Sequence, residues 1–121
     1  MIRVLVVDDV PEIRAIHAQF LRGPDMAVTT AEDGDAALRA AREAVPDVVV
    51  TDIDMPVMDG LSLCRELRAD AMTRRICVIV ITGTGELDEA FAAGCDVVLE
   101  KPCPRALLLD TVQSFVARRA P

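Results

Sequence analysis

Three observations predict an α/β domain of three layers, α/β/α, on a doubly wound five-stranded parallel sheet. Four short runs are apolar at nearly every position and rich in β-branched residues: residues 2–7, 48–50, 76–81 and 97–99. Strands without in-out alternation are buried on both faces, as in a parallel sheet. Segments of helical period separate these runs and a weaker alternating run at residues 27–30, which gives β-α repeated five times. Handedness of the crossovers then places helices on both sides of the sheet. The third observation is balance: 52% hydrophobic and 27% charged residues in 121 suit a single domain, residues 1–121, with a core of its own.

In chain order, residues 2–7 form the first strand. Pro11 then suits a first helical turn, where a missing N–H costs nothing. Ile13, Ile16 and Phe20 set the apolar period of that helix. Residues 27–30 alternate, Ala27-Val28-Thr29-Thr30, and suit an edge strand. Leu38, Ala41 and Val45 mark a helix over about 34–44, and residues 48–50 the third strand. Leu63, Cys64 and Leu67 mark a helix over 60–69, opened by Asp59-Gly60. Residues 76–81 form the fourth strand. Residues 86–93 leave two turns for helix four, an element that needs tertiary packing to be ordered. After the fifth strand, Pro104 suits another first turn, and Leu108, Val112, Phe115 and Val116 give the last helix its face.

Charge and composition exclude several functions. Twenty acidic against 13 basic residues give a formal charge of −7, which repels phosphate backbones, so direct nucleic-acid binding is not expected. The longest apolar run, residues 76–81, is six residues, whereas a membrane-spanning helix needs about 20. No membrane insertion is expected. The N-terminal apolar stretch is broken by Asp8-Asp9, too early for a signal peptide, and the reading is cytoplasmic. Cys64, Cys77, Cys95 and Cys103 lack metal-site spacing and read as buried reduced thiols. His17, the one histidine, is expected to be partly exposed.

The residues just after each apolar run carry the chemistry. Asp8-Asp9 succeed the first, Asp52 and Asp54 the third, Thr82-Gly83-Thr84-Gly85 the fourth and Lys101-Pro102 the fifth. All are at carboxyl ends, which lie along one rim of an open parallel sheet. Three or more carboxylates meeting there repel one another and need positive charge. Lys101 supplies one, and a hard divalent cation such as Mg²⁺ suits an all-oxygen cluster. Cation, lysine, hydroxyl and loop amides together are equipment for stabilising a phosphoryl group in transfer. No Ser-His-Asp set or Cys-His pair is present, so the candidate nucleophile is a carboxylate. Asp52, ending a central strand, is best placed.

Asp8-Asp9, then Asp52 leading into Met55-Pro56-Val57-Met58-Asp59-Gly60, then Thr82, then Lys101-Pro102, resemble the receiver domain of two-component response regulators over essentially the whole chain. The resemblance implies a flavodoxin-like sheet of order 2-1-3-4-5, as in the chemotaxis receiver. It implies a phosphoacceptor switch that catalyses only its own phosphorylation and dephosphorylation. Asp52 would accept a phosphoryl group from a histidine kinase or histidine phosphotransfer protein. Asp9, Asp52 and the backbone carbonyl of Asp54 would hold Mg²⁺, with Asp8 acting through water. Thr82 and Lys101 would contact phosphoryl oxygens, the amides of Asp54 and Gly83 would assist, and Lys101-Pro102 would be cis. Switching would move Thr82 and change a surface read by a downstream protein, or the phosphate would be relayed.

Two positions depart from the family pattern. Val98 stands where the family has an aromatic that follows the threonine, and Cys103 where it often has Phe. The stretch from Thr82 to Gly94 is also short. Asp54 lies beside the path of an attacking water. The chain reaches Ala120-Pro121 just past a fifth helix, so a stand-alone receiver is the expectation. Asp8-Asp9 taken alone could be a helix cap, and Thr82 to Gly85 only a turn. Two rival functions have different signatures. A small Mg²⁺-dependent phosphatase of haloacid-dehalogenase-like chemistry would share Asp52-Ile53-Asp54, but Pro56 stands where that family has Thr or Val. A flavodoxin-like nucleotide binder would need a phosphate loop where this chain has Asp8-Asp9.

Overall fold

The computed structural model describes residues 1–119; Ala120 and Pro121, where the expected stand-alone end lies, are outside them. The order is β1 (Ile2–Val7), α1 (Pro11–Leu21), β2 (Met26–Ala31), α2 (Gly34–Glu43), β3 (Val48–Asp52), α3 (Gly60–Ala69), β4 (Cys77–Thr82), α4 (Leu87–Ala93), β5 (Val97–Glu100) and α5 (Arg105–Arg119). The five strands form one sheet of order β2-β1-β3-β4-β5. Every pairing is parallel. The register aligns Val6 with Val50, Val50 with Ile79, and Ile79 with Val97. Carboxyl ends are therefore level along one rim.

Alternate residues of the central strands feed two cores, because successive side chains of a strand point to opposite faces. Leu5, Val7, Val49, Val78 and Val80 pack with Leu38 and Ala41 of α2, Leu63 and Leu67 of α3, and Ala90 and Ala93 of α4. Val4, Val6, Val50, Ile79 and Ile81 pack with Ala18 and Leu21 of α1 and with Leu108 and Val112 of α5. Fully burying a Leu or Ile side chain is worth about 2 kcal/mol, so both faces hold the sheet. The four cysteines are buried. Burial pushes the Cys64 and Cys95 thiols up to about 11, which leaves little reactive thiolate.

Helix 1 differs from its predicted face. Ala18 and Leu21 reach the core, while Ile16 is 46% exposed. Phe20 packs against that core as its period predicts, and with Ile13 and Ile16 it also borders a cleft with Pro102 and Cys103. His17 also lines that cleft and is only 7% exposed, so its expected partial exposure is wrong. The loop after β5 folds back beside α1 and covers the imidazole, a contact between segments some 85 residues apart that helical period cannot reveal. Burial lowers the His17 pKa, against the raising influence of Asp8.

Two helix starts also shift. Glu86 precedes α4 at its N-cap position without a side-chain cap, and Pro104 precedes α5, its carbonyl accepting Leu108 N–H at 3.1 Å. By contrast Asp33 and Asp59 cap α2 and α3 through Ala36 N–H at 2.8 Å and Ser62 N–H at 2.7 Å. Helix 4 ends at Gly94, whose φ of 105° suits glycine. A Cβ there would meet Arg68. That arginine fastens this end: its guanidinium donates to Gly94 O at 2.8 Å, Arg74 O at 2.7 Å, Ile76 O at 2.6 Å and Asp96 Oδ2 at 2.8 Å. Among the described residues no helix is long and apolar enough to cross a membrane.

Candidate functional site

Asp8 leaves β1 at the rim and is 1% exposed. Its Oδ1 accepts the Val10 N–H at 3.0 Å, and its backbone carbonyl accepts Arg14 Nη1 at 2.9 Å. The capping alternative for Asp8 therefore fails, because α1 begins at Pro11 and neither bond reaches a first-turn amide. Burial is the largest influence raising the Asp8 pKa; the Val10 N–H opposes it, the Asp52 charge adds to it, Lys101 opposes it and Asp9 adds again. The charged form of Asp8 is thus costlier to hold here than in water, and nearby positive charge relieves that cost.

Asp52 ends β3, and its Oδ1 accepts the Ile53 N–H at 2.8 Å. Its side chain is 13% exposed, so the group is not sealed from solvent. Lys101 Nζ lies 3.2 Å from Asp52 Oδ2 and 3.9 Å from Asp8 Oδ2. Asp8, Asp9 and Asp52 each bring a carboxylate oxygen, all within 4.8 Å of one another. Three carboxylates facing one ammonium leave negative charge over, and their hard oxygen donors fit a small divalent cation. Asp54 is exposed on the loop beyond. The Lys101-Pro102 bond is cis, as the resemblance implied.

Glycine lets α3 begin against Asp52. A Cβ on Gly60 would strike the backbone carbonyl of Asp52, and one on Gly34 would strike that of Met58. The Gly60 N–H donates to Ile53 O at 2.8 Å, and the Gly34 N–H to Met58 O at 3.1 Å. Asp59-Gly60 thus opens the helix and also fixes the loop that carries Asp52.

Thr82 ends β4 and is 2% exposed. Lys101 N–H donates to its carbonyl at 3.0 Å, which ties the two residues across the β4-β5 pair. Its hydroxyl bonds Thr84 Oγ1 at 3.0 Å and accepts the Thr84 N–H at 3.1 Å, and Thr84 Oγ1 donates to Glu86 Oε1 at 2.6 Å. Sequence reasoning singled out Thr82 and overlooked Thr84 and Glu86. Val98 packs on the α2-α3-α4 side of the sheet.

The model of the response regulator receiver domain matches residues 4–113. The chain belongs to that family. Receivers are phosphoacceptor domains of two-component signalling, switches and not turnover enzymes, and the hydrolase alternative is not favoured. The chain is 42% identical over 120 residues to transcriptional regulatory protein PrrA of Mycobacterium tuberculosis, covering 97% of this chain and 51% of that protein. It is 38% identical over 117 residues to response regulator PleD of Caulobacter vibrioides, covering 93% of this chain and 26% of that protein. The receiver therefore spans about half or less of these curated relatives. Among solved structures, Vibrio cholerae chemotaxis protein CheY4 superposes with a TM-score of 0.87 at 32% identity, covering 94% and 98% of the two chains. The receiver domain of sensor histidine kinase PA1611 from Pseudomonas aeruginosa, which has a magnesium ion coordinated in its active-site cleft, gives 0.88 at 32% identity, covering 95% and 97%.

Proposed function

We propose that residues 1–121 form a receiver whose phosphoacceptor is Asp52, supplied by a phosphohistidine on a histidine kinase or phosphotransfer protein. The observation that carries this reading is the Lys101 ammonium 3.2 Å from Asp52 Oδ2 at the edge of the Asp8-Asp9-Asp52 cluster. An Asp52 oxygen attacks phosphorus, the P–N bond breaks, and the imidazole leaves as the new acyl phosphate forms. Lys101 offsets charge on the phosphoryl oxygens, and Thr82 donates a hydrogen bond to one of them once its hydroxyl turns inward. Amides of Asp54 and Gly83 add donors. Asp9, Asp52 and the Asp54 carbonyl would hold Mg²⁺, with Asp8 acting through water; when bound, the ion neutralises the charge of acceptor and phosphoryl group together. The chain catalyses only its own phosphorylation and dephosphorylation in this reading. It acts in the cytoplasm on a protein target, and its net charge of −7 argues against direct contact with nucleic acid.

Intact-protein mass after incubation with acetyl phosphate tests the reading. One Mg²⁺-dependent phosphoryl adduct on the wild type and none on Asp52→Asn is the expected outcome. An adduct that persists in Asp52→Asn places the acceptor elsewhere and overturns it.

A further inference from the structure

The bonds around Thr82 have a direction that can be worked out from proton inventory. Thr84 Oγ1 owns one proton and gives it to Glu86 Oε1 at 2.6 Å. A carboxylate accepts and has none to return. The 3.0 Å bond between the hydroxyls of Thr82 and Thr84 then runs one way, with Thr82 as donor. Thr82 Oγ1 also accepts the Thr84 N–H at 3.1 Å. Its single proton and one of its lone pairs are both engaged with Thr84.

Resting on the phosphoacceptor reading, we infer that Glu86, acting through Thr84, is a latch that holds the Thr82 proton away from Asp52 and so stabilises the unphosphorylated state. Phosphoryl oxygens are acceptors, so a hydroxyl assists them only by donating. Thr82 must give up Thr84 before it can serve the phosphate. Without Glu86, Thr84 is free to donate toward Thr82, and the Thr82 proton is released. Val98 leaves no aromatic to follow the threonine, so this chain's restraint on Thr82 lies in the loop and not behind the strand. Thr84 and Glu86 are positioning residues: neither contacts Asp52, and both act through Thr82.

Four variants test the latch: Glu86→Ala, Thr84→Val, Thr84→Ser and Glu89→Ala. The last removes the same charge from the exposed face of α4 without a bond to Thr84. The rate of adduct formation with acetyl phosphate and Mg²⁺ is expected to rise about five- to tenfold in Glu86→Ala and Thr84→Val, the scale of one solvent-exposed hydrogen bond. Thr84→Ser, which keeps the hydroxyl, holds the wild-type rate. In a Thr82→Ala background the effect of Glu86→Ala disappears. Rates within twofold of wild type, an equal rise in Glu89→Ala, or an undiminished effect in the Thr82→Ala background would overturn the latch. Amide exchange of Thr84 in the unphosphorylated protein gives a reading that needs no phosphate: faster exchange in Glu86→Ala supports the latch, and equal protection overturns it. A wild type that takes up no phosphoryl group defeats the phosphoacceptor reading instead, and the exchange result still decides the latch.

Discussion

The loop after β3 and the loop after β4 enter the same site from adjacent strands, and they are held in different ways. The first is fixed through its backbone: Gly60 to Ile53, Gly34 to Met58, and an Asp59 cap on the helix that follows. Two glycines allow main chain to lie against main chain, so the position of Asp52 does not depend on a side-chain rotamer. The second is held by the hydroxyls of Thr82 and Thr84 and the carboxylate of Glu86, and the helix it leads into has no side-chain cap. Side-chain bonds can exchange partners without moving the sheet. Asp52 thus rests on the rigid loop and the Thr82 hydroxyl on the adjustable one, which is the division the proposed switch needs.

The largest expected effect comes from breaking the rigid side. Gly60→Ala puts a methyl group against the Asp52 carbonyl and should lower stability by about 3 kcal/mol, read as a lower urea midpoint. A midpoint unchanged from wild type would mean that the loop is as pliable as its neighbour. Next is Arg68→Ala, which frees the far end of α4 by removing donors from Gly94 and Ile76 carbonyls. A loss of about 2 kcal/mol is expected. Amides of residues 90–93 should exchange faster than those of α3, before phosphorylation and more so in the variant. Equal, strong protection of both helices in wild type and variant would remove the contrast.

Val57 sharpens the comparison in the opposite direction. It stands in the rigid loop at φ 71° and is 83% exposed, with Met58 N–H donating to Pro56 O at 2.8 Å across it. A β-branched residue is strained there, so Val57→Gly should stabilise the fold by about 1 kcal/mol in thermal or urea unfolding. Destabilisation would show that the loop is not over-determined by its backbone bonds.

His17 should give the smallest effect. Burial holds its folded pKa below the ordinary 6.5, so the unfolded chain takes up the proton first. Its contribution to stability is complete above 6.5 and is lost as pH falls from there toward the depressed folded value. The urea midpoint of metal-free protein should decline as pH falls below 6.5, and His17→Gln should flatten that decline. An identical slope in the variant assigns it to other groups.

Most of the fold and the core of the site were legible because their signals are local. An apolar run without alternation marks a strand buried on both faces, and a parallel sheet brings the carboxyl ends of all such strands to one rim. Asp8, Asp9, Asp52, Thr82 and Lys101 could be placed at that rim by this rule; the structure brings the three carboxylates together beside the Lys101 ammonium and ties Thr82 to Lys101 through its backbone carbonyl. The cap at Asp59 was legible for the same reason, since it depends on residues three apart. The burial of His17 was not, because the loop that covers it arrives from the other end of the chain. Nor was the whole core face of α1: Phe20 packs against the core as its period predicts, but Ile16 is exposed, and Ala18 and Leu21 are the residues buried against the sheet.

The sequence by itself thus determined the β-α order, the parallel sheet and the set of charged and hydroxyl groups along its rim, because strand burial and helical period are written in neighbouring residues. Tertiary structure alone decided that Lys101 lies nearer Asp52 than Asp8, and that the proton of Thr82 is given to Thr84. Those outcomes depend on distances of a few tenths of an ångström and on which neighbour can only accept. Such quantities exist only once separate loops have been brought to the same place.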